Sequence, residues 1–446
     1  MPLCCPDNSE TLSGCCRNQC PDAAEICNEK ILQIKFETLI VGIDVGKETH
    51  YARAFDFRGL ELAKLFRFSN TRQGYEALEN WTQEIMREHG KTEAIVGFEP
   101  TGHYWFTLGD HLQRQGHRLG IVNPFHVKCT KELDDNSPTK NDRKDPKTIA
   151  MLVKDGRFRE VYIPEDLFQE LREAVNERER LLEQLIILSN QVLRWLDIRF
   201  PEFSGVFKDW SRDAAWLTLR HHSTPKKVVT AGVAGLMRTW RQEMKRPSLK
   251  KAERLVKAAS ESIGRTAGSE AAEAALQNIL TQYELIDRQK QETEMLMQEL
   301  LLRVPNASKL LGIKGIGMVT AAVIVSEIGD IHRFHDPRQI QKMAGLSLRE
   351  NSSGKHKGKT TISKRGRKRL REGLFRAIIT MLATNQEFRA IHRRNLTREN
   401  NPLTKMESVI ALCGKLIRVI FAILTKGNDY DAKKMMDDMN RSMKAA

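Results

Sequence analysis

Residues 38–44, Thr-Leu-Ile-Val-Gly-Ile-Asp, constrain the fold of this chain more than any other stretch. A short β-branched apolar run of this kind forms a buried strand. Residues 51–57 and 60–68, with Gly59 at the turn, read as further strands that make an antiparallel meander with it. Thr71 then caps an amphipathic helix running to His89, residues 93–98 (Glu-Ala-Ile-Val-Gly-Phe) form another buried strand, and residues 104–115 and 118–122 add a helix and a strand. Strands first paired in a meander and then alternating with helices specify a mixed α/β layer fold.

Acidic residues stand where that fold would otherwise be apolar. Asp44 closes the first buried strand, Glu99 follows the strand ending at Phe98, and Asp142 and Asp145 precede a helical stretch over residues 146–154. Hard divalent cations take oxygen ligands, and paired Mg²⁺ ions clamping a phosphoryl displacement need carboxylates converging from several elements. The four together fit that requirement. Taken singly, Asp44 is also explained as a turn residue, and Asp142 and Asp145 as acids at the positive end of a helix dipole. The string Gly42-Ile43-Asp44-Val45-Gly46 is similar to the first phosphate loop of actin-like and sugar-kinase ATPases as well. That alternative requires a later Asp-x-Gly-Gly-Gly-Thr loop, and no such string occurs.

Composition points to the partner. The 446 residues include 72 Lys and Arg against 57 Asp and Glu, a formal net charge of +15, which favours a polyanion over a neutral metabolite. The length suggests about three domains. The longest apolar stretch, residues 409–424, is interrupted by Lys415 and Arg418 and falls short of the roughly 20 residues that span a bilayer, so no membrane is expected. Six of the eight cysteines (Cys4, Cys5, Cys15, Cys16, Cys20 and Cys27) crowd the first 27 residues without a histidine. With no apolar signal segment there, reduced thiols in the cytoplasm and a poorly ordered leader over residues 1–36 are preferred to a disulfide knot or a structural zinc site.

The middle of the chain is helical. Leu171, Ala174, Leu181, Leu185, Leu188, Val192 and Trp195 follow a heptad spacing broken at Arg178, and Leu276, Ile279, Tyr283, Ile286, Lys290, Thr293, Met297 and Leu300 form a second seam. Such helices pair antiparallel within one chain or pack between chains, because a heptad specifies a partner helix without naming its chain. Residues 205–265, between the seams, form a basic helical insert with a turn at Ser223-Thr224-Pro225 and no catalytic constellation.

The last third reads as a nucleic-acid surface. Residues 310–326 give an apolar helix end, a Gly315-Ile316-Gly317 turn and a second helix, the pattern of a helix-hairpin-helix whose amides face phosphate. Residues 349–371 hold ten Lys or Arg against the single acid Glu350, interleaved with Ser352, Ser353, Gly354, Gly358 and Gly366. This suits a loop on a phosphate backbone better than a salt-bridged helix. Gly315, Gly317, Lys355, Lys357, Lys359, Lys364, Arg365 and Arg371 are the expected contacts, with helices over residues 368–383 and 407–424 behind them.

Together these motifs resemble one family, the insertion-sequence transposases with an Asp-Glu-Asp-Asp tetrad, now known as bridge-RNA-guided recombinases. The resemblance covers most of residues 38–425. It rests on Gly42-Ile43-Asp44-Val45-Gly46-Lys47, Glu99-Pro100-Thr101-Gly102-His103-Tyr104 and Lys140-x-Asp142-x-x-Asp145 in the first half. In the second half it rests on Gly315-Ile316-Gly317-x-x-Thr320-Ala321, Phe334, Ala344-Gly345-Leu346, Ser353-Gly354 and Ile362-Ser363-Lys364-Arg365-Gly366. It implies an RNase H-like (RuvC-like) domain over residues 37–160, a coiled-coil region over 161–304, a mainly helical transposase domain over 305–428 and a tail over 429–446. It further implies Asp44, Glu99, Asp142 and Asp145 as Mg²⁺-binding catalytic residues and Ser353, with Ser352 one position away, as nucleophile. The implied partners are donor and target DNA, a structured guide RNA and further copies of the chain in a dimer or tetramer. A non-catalytic nucleic-acid scaffold is the remaining alternative, in which the carboxylates are scattered surface charge.

Overall fold

The structure, a computed structural model, describes residues 23–436 apart from 101, 135–144, 163–165, 350–351, 354–355, 359 and 400. The chain divides into two compact units, Met1–Ile163 and Pro164–Ala446.

In the first unit, helix α1 (Ala23–Gln33) precedes strands β1 (Thr38–Asp44), β2 (Thr49–Phe55) and β3 (Phe66–Ser69). Helix α2 (Arg72–Glu88), β4 (Glu93–Phe98), α3 (Phe106–Arg114), β5 (Arg118–Val122), α4 (Pro124–Asp134), α5 (Asp145–Lys154) and β6 (Phe158–Glu160) follow. The six strands form one sheet in the order β3-β2-β1-β4-β5-β6. The meander β1-β2-β3 is antiparallel, β1, β4 and β5 run parallel, and β6 returns antiparallel on β5. Thr71 caps α2, accepting the Gly74 amide at 3.2 Å.

Three features depart from the sequence reading. The third strand begins at Phe66, because the Asp56 carboxylate accepts the amides of Arg58 and Leu60 and folds the chain into a turn, leaving only the bridge Phe55–Glu61. Helix α4 and the short β6 were not foreseen. Residues 23–33, assigned to the leader, are helical, and Lys30 lies over the Phe158 ring at 4.7 Å. The cysteines up to Cys20 lie outside the described residues.

Both faces of the sheet are buried. Leu39, Val41, Ile43, Val96 and Phe98 pack on the α2 and α3 side, while Ile40, Ile95, Ile149 and Val153 pack on the α5 side. Helix α5 lies unusually close to the strands. A Cβ on Gly42 would fall 2.0 Å from the Pro146 carbonyl oxygen, and one on Gly97 would fall 2.3 Å from Val153.

The second unit begins with α6 (Asp166–Arg199), followed by α7 (Phe203–Val206), α8 (Asp213–His221), α9 (Pro225–Arg241), α10 (Leu249–Ser260) and α11 (Ser269–Arg303). The two long helices, α6 and α11, pair antiparallel in one chain. Glu170 meets Arg303 at 3.8 Å, Arg178 meets Glu294 at 2.6 Å, and the Trp195 indole donates to the Ala272 carbonyl at 2.7 Å. The Arg178 that breaks the heptad is thus a cross-helix ion pair. The insert α7–α10 is helical as expected, with Thr224 capping α9 and Pro225 in its first turn, and it has its own core around Phe203, Trp210 and Trp240.

Beyond a 3₁₀ turn at Ala307–Gly312 come α12 (Met318–Ile328), α13 (Pro337–Met343), the two-residue strands β7 (Leu348–Arg349), β8 (Ser352–Ser353), β9 (His356–Lys357) and β10 (Thr361–Ile362), then α14 (Lys368–Thr384), α15 (Gln386–Thr397) and α16 (Lys405–Lys426). The first arm of the expected helix-hairpin-helix is therefore a 3₁₀ turn. By length and composition α16, at 22 residues, is long and apolar enough to cross a membrane, contrary to expectation. In the fold it is a core helix, with Leu412, Cys413, Leu416, Ile417 and Ile420 buried against the partners of α12 and α14. Burial pushes the Cys413 thiol up to about 12.

Candidate active site and nucleic-acid surface

Register places the first two carboxylates. Strands β1 and β4 are parallel neighbours with Ile43 opposite Phe98, so Asp44 and Glu99, the next residue on each, reach the carboxyl edge at one level, about 5 Å apart by ordinary strand spacing. Side chains alternate along a strand, and Gly42 and Gly97 face α5. Two residues further on, Asp44 and Glu99 turn to that same face. Helix α5 starts there with Asp145, which is buried and ion-paired with Lys131 of α4.

The sheet thus brings Asp44, Glu99 and Asp145 to one edge, where ligands of parallel α/β sheets bind. Asp142 lies outside the described residues. Among the described residues, no three His, Cys, Asp or Glu side chains group closely enough to hold a metal ion. The donor type fits a hard divalent cation, since every candidate ligand is a carboxylate, but the buried Asp145 is held by the Lys131 ammonium, which a cation would have to displace from that oxygen.

Two neighbours of this edge escaped the sequence reading. Lys131 sits on the unforeseen α4, although Asn123 before Pro124 signals a helix start: its side chain accepts the Phe125 amide at 3.0 Å. His50 on β2 is fully buried, and its Nδ1 accepts the Gly46 amide at 3.3 Å, fixing the turn that follows Asp44. Burial pushes the His50 pKa down, with a hydrogen bond to Asn70 opposing the shift.

In the second unit the basic run is a pair of short ladders and not an open loop. Strand β7 pairs with β10, and β8 pairs with β9 so that Ser352 lies opposite Lys357 and Ser353 opposite His356. Ser353 therefore ends β8, opposite the first residue of β9. Lys355 and Lys359 lie outside the described residues, and Lys357 is on β9.

The C-terminal cations of the run have structural partners. Arg367 reaches Glu327, Arg369 reaches Glu179 at 2.6 Å, and Arg371 donates to the Ala344 carbonyl at 2.9 Å. Lys364 and Arg365 are exposed. Gly315 is required by packing as well, having φ +103° and no room for a Cβ, which would lie 2.6 Å from Met381. Gly317 is exposed, has open space around it and caps α12.

Two family models match the sequence. A transposase model of the IS110 type with a DEDD domain covers residues 41–201, and one described as "Transposase IS116/IS110/IS902 family" covers residues 307–393. The first includes all four tetrad positions and the second includes the serine hairpin. The chain is similar, at 31% identity over 134 residues, to the transposase for insertion sequence element IS1111A of Coxiella burnetii, covering 28% of this chain and 34% of that protein. It is 31% identical over 130 residues to the pilin gene-inverting protein of Moraxella bovis, covering 28% and 39% of the two chains. A 44.8 kDa protein of insertion element IS116 from Streptomyces clavuligerus is 23% identical over 395 residues, 88% of this chain and 96% of that one. The chain spans about a third of the length of the Coxiella protein it matches.

Proposed function

Because models of one family match it in both halves, the chain belongs to the IS110/IS116 transposases, and from that premise we propose that it is an insertion-sequence transposase that cuts and rejoins donor and target DNA by phosphoryl transfer. The observation that supports this reading is the placement of Asp44, Glu99 and Asp145 toward the carboxyl edge of one sheet inside the matched DEDD region. Asp142 completes the tetrad. Asp44, Glu99, Asp142 and Asp145 are the residues that would hold Mg²⁺, and the ion would supply positive charge to offset the charge developing on phosphoryl oxygens.

Ser353 is the nucleophile. Its hydroxyl oxygen attacks the scissile phosphorus, the hydroxyl proton passes to a base or to water, and a deoxyribose hydroxyl leaves, so a phosphodiester is exchanged for a phosphoserine link. Its place at the end of β8 within the second matched region supports this assignment, as does the basic run around it. A structured guide RNA is a second polyanionic partner suited to the net charge of +15. The chain acts as a homo-oligomer, and the exposed Ile186, Ile187, Met295 and Leu296 on the long helices are the contacts it would use. An ATPase is not favoured, since both matched models are transposases.

The test is to trap protein–DNA adducts under denaturing conditions. Ser353→Ala should abolish the adduct and Ser352→Ala should retain it, while Asp44→Asn should abolish recombination with thermal unfolding unchanged. Survival of the adduct in both serine variants sinks the serine mechanism, and full recombination by Asp44→Asn in Mg²⁺ removes Asp44 from the chemistry.

A further inference from the structure

Beside the β7–β10 ladder the second unit holds a cavity of about 1430 Å³, lined by β7, β10, α14, α16 and the segment joining α15 to α16. Arg349 and Lys364 stand on the ladder side, and Arg376, Arg398, Lys415 and Arg418 stand on the helical side. The two acids that line it are already committed: Glu407 closes the capping box of α16 with Thr404, and Glu372 pairs with Lys368 at 3.5 Å. The electrostatic balance of the groove is therefore strongly positive.

Cations alone would suit any phosphate backbone. The apolar lining is what discriminates. Phe375 of α14 and Ile410 of α16 are half-buried in the groove, while Leu348 and Met406 are 71% and 59% exposed. A duplex keeps its base faces stacked inside and presents phosphates and base edges, so it has little to offer such a surface. An unpaired strand presents both chemistries, a phosphate backbone for basic walls and flat base faces for aromatic and thioether side chains.

We propose that this groove seats an unpaired DNA strand, with its phosphates on Arg376, Arg398 and Arg418 and its bases against Phe375, Met406 and Ile410. The occupant deepens the transposase reading on which it rests: it is a DNA strand opened for cleavage, held on a groove whose lining residues Arg349 and Thr360 bracket in sequence the segment that carries Ser353. The bases held there are unstacked, so the groove engages DNA only after its duplex has opened.

Binding of fluorescent single-stranded DNA, single-stranded RNA and duplex DNA by the full chain tests this across a salt series. Arg376→Gln with Arg418→Gln should weaken single-strand binding several-fold and flatten its salt dependence by about 0.7 per lost phosphate contact, leaving duplex binding unchanged. Met406→Glu, at an exposed position, should weaken single-strand binding without altering thermal unfolding. Equal losses for strand and duplex would mean a general phosphate surface, and a loss confined to single-stranded RNA would mean a different occupant. No loss in either variant would leave the groove to an apolar peptide or to nothing. Each of these three results overturns the proposal. The adduct assay keeps the two readings apart: an adduct in the wild-type chain with no groove effect removes the groove and leaves the transposase, whereas a strand-specific groove effect without any adduct does the reverse.

Discussion

The chemistry of His50 is set by its surroundings. Its ring lies 5.0 Å from Phe68 and 6.2 Å from Tyr75, and burial holds its pKa below the ordinary 6.5. A histidine with a lowered folded pKa contributes stability above its unfolded value that is lost as pH falls through the folded one. Thermal unfolding between pH 8 and pH 5 should therefore show the wild type losing stability below about 6.5, and His50→Phe should lose less over the same range. Parallel curves for the two would show that His50 does not carry the dependence. The same scale explains what was legible at the site. Asp44 and Glu99 were readable because a charge at the end of an apolar run is a local anomaly. Lys131 was not, because its pairing with Asp145 arises only when α4 and α5 pack together. Ser353 has no physical signature in sequence beyond those of any turn serine, and the resemblance alone singled it out.

At the scale of elements, the bounds of β1, β4, β5 and α2 were readable because apolar runs and a capping threonine are short-range signals. The three-residue β6 is defined by its antiparallel pairing to β5 more than by its own composition. The heptads on α6 and α11 specified a partner and not its chain, and the structure supplies the partner within the chain. Their broken position can be tested. Arg178→Leu leaves Glu294 unpaired in a partly buried seam and should cost about 1–3 kcal/mol, whereas Arg178→Leu with Glu294→Leu should recover most of that loss, since apolar pairs replace such ion pairs at little cost. A denaturant-based double-mutant cycle gives the answer. If the double variant is as unstable as the sum of the singles, the pair contributes nothing specific to the seam.

At the scale of the molecule, each unit has its own cores: the sheet faces in the first, and the cluster around the insert and the cluster around α12, α14 and α16 in the second. Separate cores unfold as separate transitions. Calorimetry should resolve at least two, and Leu39→Ala, in the fully buried β1, should lower only the first unit's transition, by an amount equivalent to about 2–5 kcal/mol. A single transition shifting as a whole would show the units to be one cooperative body. The central place of α16 also sets the order of events while the chain is being made. Helix α14 leaves the ribosome first, and α16, which packs on it, follows roughly forty residues later, a wait of about 2 to 8 seconds at ordinary elongation rates. During that interval the buried face of α14 lacks that cover, and when α16 arrives it is itself apolar and long enough to pass for a membrane segment. Productive synthesis of this protein therefore depends on shielding a nascent surface in time, and interrupted translation products lacking α16 are destined for chaperones and proteases.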